Sequence, residues 1–114
     1  MRQLKDVDLT LSQREALAEL RHRLSTEFEV DGIVLFGSAA RGEADEESDL
    51  DLLIPTKKPL ARLARHRITD LILDINLRHE TNFSSLVIDR ENWERGAASV
   101  LPIHDEILRD GVAV

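Results

Sequence analysis

The chain is expected to be an α/β protein of the α+β kind, with a small mixed β-sheet of three to four strands flanked by helices. Three observations predict this. Leu17, Leu20, Leu24 and Phe28 recur at helical spacing, as do Leu60, Ala64, Ile68, Leu71, Ile72 and Ile75. Between and after these stretches stand short runs rich in branched and aromatic residues, Ile33–Phe36, Leu50–Ile54 and Asn82–Ile88, each of strand length. The 114 residues, 42% hydrophobic and 32% charged, suffice for one domain with one core, spanning 1–114.

The first helix is expected from Ser12 to Phe28, because Ser12 followed by Glu15 reads as a capping box. Asp31-Gly32 turns the chain into the strand Ile33–Phe36. Ser38–Arg41 then opens a short helix, and Glu43–Ser48 forms a loop. The strand Leu50–Ile54 is expected to close at Pro55, which lacks the N–H that a sheet ladder needs. The long helix runs from Leu60 to His79, with Pro59 at or just before its first turn. Leu63, Leu73 and Leu77 fall off its apolar face; they are expected to be covered by the rest of the fold or to meet a partner. After the strand Asn82–Ile88 come a helical turn at Glu91–Arg95 and a last helix, Pro102–Arg109, ended by Gly111 as its C-cap.

Composition narrows the function classes. The sequence has no cysteine, which excludes disulfides, thiolate metal sites and a cysteine nucleophile. Its net charge of −7 speaks against a polynucleotide groove, since affinity for nucleic acid comes mainly from Lys and Arg. The start, Met1-Arg2-Gln3-Leu4-Lys5-Asp6, lacks the apolar run of a signal peptide, and no segment reaches the roughly 20 apolar residues that span a bilayer. A cytoplasmic protein with no membrane association is the expectation.

Chemistry concentrates in one stretch. Gly37-Ser38-Ala39-Ala40-Arg41-Gly42 follows an apolar strand, and Asp49-Leu50-Asp51-Leu52-Leu53-Ile54 begins seven residues later. Side chains alternate along a strand, so Asp49 and Asp51 share one face while Leu50 and Leu52 share the other. Two acids on one face call for a divalent ion with oxygen ligands, and the glycine-containing turn offers backbone N–H groups and a hydroxyl to phosphate oxygens. Gly37 permits close backbone approach. Ser38 is a phosphate donor, and Arg41 is expected either to reach phosphate or to brace the loop against the acids at 43, 45, 46, 47, 49 and 51.

This stretch, with Ser48 before Asp49, resembles the signature of the small nucleotidyltransferases of the polymerase-beta superfamily. The resemblance is tight over roughly 18 residues. It implies that Gly37 and Ser38 contact a nucleoside triphosphate such as ATP, and that Asp49 and Asp51 bind Mg²⁺. Two ions about 3.5–4 Å apart could bridge the attacked phosphate and the leaving pyrophosphate.

The implied third carboxylate on a later strand is not evident. The matching position is Asn82, a neutral and weaker ligand, while Glu80 would serve if the register shifted by two, and Asp74 falls within the helical pattern. The four histidines, His22, His66, His79 and His104, lack zinc-ligand spacing. Trp93 reads as a packing anchor rather than a base-stacking platform.

The leading expectation is a Mg²⁺-dependent nucleotidyltransferase that moves a nucleoside monophosphate, AMP from ATP, to a hydroxyl. In so short a chain the acceptor is expected on a second subunit, in a homo-oligomer, or on a protein partner. The resemblance implies a toxin–antitoxin pair with a helical partner of the HEPN type. The alternatives are a catalytically weak nucleotide-binding or contact-only antitoxin module, and an enzyme that modifies a small cationic acceptor.

Overall fold

A computed structural model of the chain describes residues 1–30, 32–43 and 49–114. Asp31 of the expected turn, and residues 44–48 of the expected acidic loop, lie outside the described residues. The elements are strand β1 (Arg2–Gln3), a 3₁₀ turn (Leu4–Asp6), helix α1 (Leu11–Phe28), β2 (Val34–Phe36), β3 (Leu50–Thr56), α2 (Arg62–His79), β4 (Phe83–Asp89), α3 (Arg90–Arg95), a second 3₁₀ turn (Ala97–Val100), α4 (Pro102–Asp110) and β5 (Val112–Ala113).

Among the described residues one mixed sheet has the order β1-β5-β2-β3-β4. β2 runs antiparallel to both neighbours, and β3 runs parallel to β4 across the α2 crossover. The five strands exceed the expected three to four, because β1 and β5 are only two residues long and become strands through pairing: β5 lies between β2 and β1, and β1 pairs with β5. β1 has no apolar residue, and the apolar run at β5, Val112-Ala113-Val114, is too short to mark a strand in sequence.

Helices cover both faces of the sheet. On one face Ala16, Leu17, Leu20 and Leu24 of α1 and Ile68, Leu71, Ile72 and Ile75 of α2 pack on Leu35, Leu50, Leu52 and Ile54. On the other, Ile107 of α4 is buried with Phe36 and Leu53, and Val34, Leu86, Ile88, Trp93 and Ile103 close around them. The period of two along β3 thus divides its residues between two cores.

Two boundaries differ from expectation, the start of α1 and the end of β3, while the C-cap of α4 is Gly111 as expected. The N-cap of α1 is Thr10, whose hydroxyl accepts the Gln13 N–H at 3.1 Å while Gln13 Oε1 accepts the Thr10 N–H at 2.9 Å. Ser12 already lies in the helix and donates its hydroxyl to the His79 carbonyl at 2.6 Å, tying α1 to the end of α2. β3 continues through Pro55 to Thr56, because β2 pairs only as far as Leu53 and β4 alone flanks the strand beyond it. Gly111 caps α4 with extended backbone; a Cβ there would stand 2.5 Å from the Ile107 carbonyl oxygen and 2.9 Å from Val34 Cγ1, so glycine lets the helix end close on β2.

Leu63, Leu73 and Leu77 on α2 remain 73%, 56% and 72% exposed, so the fold does not cover them. No helix among the described residues is long and apolar enough to cross a membrane.

Candidate active site

β2 delivers the chain to Gly37, which turns it with φ +77°. The next residues form one hydrogen-bonded helical turn rather than the expected short helix. The Arg41 N–H donates to the Gly37 carbonyl at 3.2 Å, the Gly42 N–H to Ala39 at 3.2 Å, and the Glu43 N–H to Ser38 at 2.9 Å. With Gly42 at φ +75°, this is a Schellman closure, which stops a helix at its first turn. In such a turn the N–H groups of Ser38, Ala39 and Ala40 precede the first carbonyl that could accept them. Ala39 and Ala40 anchor the turn in the α1–α2 core, and the Arg2 guanidinium donates to the Ala40 carbonyl from β1.

β3 leads Asp49 and Asp51 to the same end of the sheet. Leu50 and Leu52 are buried toward α1 and α2, so Asp51 lies on the α3–α4 face, paired in register with Phe36. Asp49 is exposed and Asp51 half-buried. Burial pushes the Asp51 carboxyl above its ordinary range; repulsion from Asp49 and Glu106 adds to this, and Arg41 opposes it.

Arg41 bridges two acids. Its Nε lies 3.3 Å from Glu43 Oε2, and its Nη1 donates to Glu106 Oε1 at 2.9 Å. The Glu43 hydrogen bond and then the Glu106 one hold its guanidinium more firmly protonated than usual. Of the two roles expected for Arg41, the observed contacts are those of a brace.

Glu106 was missed in the sequence. The signal for it was faint: Ile103 and Ile107 form the inward stripe of α4, and Glu106 stands on the flank of that stripe, three residues after the first. Only once α4 docks on β2 does this acid arrive beside the turn.

Neither matching position on β4 supplies a third carboxylate. Leu50 pairs with Phe83 and Asp51 with Ser84, and the Leu50 N–H donates to the Asn82 carbonyl at 2.9 Å. The residues alongside Asp49 and Asp51 are therefore Asn82 and Ser84. Glu80 is the left-handed C-cap of α2, at φ 55°, and the β4 register shows no shift by two. Asp74 pairs with Arg78 at 3.1 Å and Arg23 at 3.5 Å in the helical layer on the opposite side of the sheet. Among the described residues no group of three histidine or acidic side chains could hold a metal ion. Asp49 and Asp51 are carboxylate oxygen donors, the ligand type that Mg²⁺ takes together with phosphate oxygens and water.

Trp93, His79 and His104 pack, whereas His22 and His66 are exposed. Trp93 lies in the second core, its ring 4.5 Å from that of His104. His79 Nε2 lies 3.1 Å from Glu19 Oε1 at the α1–α2 seam.

A family model described as a nucleotidyltransferase domain matches residues 17–95. The chain is similar to two inferred protein adenylyltransferases of Methanocaldococcus jannaschii. It is 42% identical to MJ1305 over 59 residues, which cover 50% of this chain and 40% of that protein. To MJ0141 it is 32% identical over 75 residues, covering 64% of this chain and 76% of that protein. A solved structure described as a toxin–antitoxin with AMP-PNP shares the fold, with a TM-score of 0.58 and 16% identity over 87% of this chain and 69% of the other.

Proposed function

Because this chain belongs to the nucleotidyltransferase-domain family, we propose that it transfers AMP from ATP to a hydroxyl group on a partner protein, with release of pyrophosphate. The observation that carries this reading is the convergence of the 37–42 turn and the Asp49–Asp51 pair at one end of the sheet. The names of the M. jannaschii relatives support AMP as the group and protein as the acceptor.

In this reading the Ser38 hydroxyl and the N–H groups of the turn bind phosphate oxygens. Asp49 and Asp51 hold Mg²⁺, which offsets negative charge on the α-phosphate and the pyrophosphate. The acceptor oxygen bonds to the α-phosphorus, the bond from that phosphorus to the bridging oxygen breaks, and the hydroxyl proton is released. The partner supplies the acceptor, and the exposed leucines of α2 offer it an apolar surface.

The test is incubation with α-labelled ATP, Mg²⁺ and the protein encoded beside this one. Label on the partner, lost in Asp49→Asn and in Asp51→Asn variants that retain the wild-type circular dichroism, is the expected result. No Mg²⁺-dependent release of pyrophosphate with the partner present would overturn it.

A second reading rests on Asn82 and Ser84 standing where β4 would carry an acid. There the chain neutralises its partner by contact, and both aspartate substitutions leave neutralisation intact.

A further inference from the structure

Arg41 is the sole basic residue from Gly37 to Thr56, a segment that carries six acids. Its guanidinium is engaged by Glu43 from the turn and by Glu106 from α4. Two further cations lie close to this region. Arg2 donates to the Ala40 carbonyl, and Arg109 pairs with its neighbour Asp110 at 3.2 Å.

A bare triphosphate arriving here meets Asp49, Asp51, Glu43 and Glu106 against an Arg41 that is already paired. A triphosphate complexed with a divalent cation brings its own neutralising charge. We propose that Glu106 is a specificity residue: by holding Arg41 from α4, it makes nucleotide binding depend on the divalent cation. This rests on the nucleotidyltransferase reading of the same site and goes beyond it, because the requirement for the ion is assigned to a side chain that does not ligate it.

The geometry favours Glu106 over Glu43 for this part. The Glu106 hydrogen bond is the shorter, 2.9 Å against 3.3 Å, and it comes from a helix fixed by buried Ile107. Glu43 belongs to the same turn as Arg41, two residues along the chain.

The experiment is calorimetric titration of the full chain with AMP-PNP, in excess Mg²⁺ and in EDTA, for wild type, Glu106→Gln and Glu106→Gln/Arg41→Gln, with thermal melts as the folding control. The wild type is expected to bind the Mg²⁺ complex and to bind the bare nucleotide weakly. Glu106→Gln should tighten metal-free binding about tenfold, the scale of one charge-assisted hydrogen bond returned to the ligand, and the double variant should lose that gain. Binding of the Mg²⁺ complex should change less than about threefold.

Equal metal-free affinity in wild type and Glu106→Gln, with Mg²⁺-complexed binding present in both, overturns the role of Glu106 and leaves the nucleotide site standing. Tenfold weaker binding of the Mg²⁺ complex by Glu106→Gln also overturns it, since Glu106 would then act as an ion ligand or a brace. A wild type that binds AMP-PNP under neither condition overturns the nucleotide reading itself, and this proposal with it.

Discussion

Gly37 and Asp51 stand in direct apposition: a Cβ on Gly37 would lie 2.5 Å from Asp51 Oδ2. The strand that ends in the glycine and the strand that carries the acid are adjacent, and Phe36 pairs with Asp51 in register. The glycine thus meets two demands at once, a positive φ and the space that the carboxylate occupies.

Gly37→Ala should therefore cost about 1–3 kcal/mol, through left-handed strain and contact with Asp51 together. It should also displace the carboxylate and abolish AMP transfer. Urea denaturation gives the first effect and a label-transfer assay the second. A fully stable and active Gly37→Ala variant would contradict the packing described here.

Asp51→Asn is expected to be inactive and more stable than wild type at neutral pH. The folded state raises the Asp51 carboxyl, chiefly by burial, so the folded protein holds the proton more tightly than the unfolded chain does. Wild-type stability then falls as pH rises from the ordinary carboxylate range through the raised value, and levels off above it. The Asn variant lacks this fall. Its advantage should be absent in acid and largest near pH 7, with about 4 °C in Tm for each kcal/mol.

At the α1–α2 seam the sign reverses. Glu19 accepts from Arg78 and lies against His79, and these partners lower its carboxyl from 4.5 to about 2, with the Arg78 hydrogen bond the larger cause. A depressed acid contributes stability above its unfolded value and loses it as pH falls. Glu19→Gln should therefore cost about 1 kcal/mol at neutral pH, a value discounted for the partial exposure of the pair. The deficit should shrink between pH 4.5 and about 2. Thermal melts across that range check it.

Thr10→Ala should destabilise the protein by about 1 kcal/mol, the usual cost of losing an N-cap side chain. Glu15→Ala, which removes the acid of the alternative capping box, should change stability by less than about 0.5 kcal/mol. Equal losses from the two substitutions would place the cap wrongly.

The cap shows why part of the fold was not legible in the sequence. Thr10-Leu11-Ser12-Gln13 and Ser12-Gln13-Arg14-Glu15 both spell a capping box, and local chemistry does not rank them. What separates them is tertiary: Ser12 is drawn to the end of α2, and Gln13 is buried beneath Thr10. α1, α2 and the strands β2 to β4 were legible because each buries a stripe whose period is written in Leu, Ile and Val. In the site, the glycine turn and the aspartate pair could be read because they are consecutive along the chain. Glu106 could not, since it reaches Arg41 from 65 positions away through the docking of a separate helix.

The place of β5 bears on how the molecule is made. It is among the last described segments to leave the ribosome, yet it sits between β1 and β2. β2, β3 and β4, with α1 and α2, can assemble while synthesis continues, but β1 has no sheet neighbour until Val112 and Ala113 emerge. Until then the side of β2 that β5 will occupy stays open to other chains, a template for intermolecular pairing. Nascent chains stalled before residue 112 should be captured more readily by chaperones than the released protein.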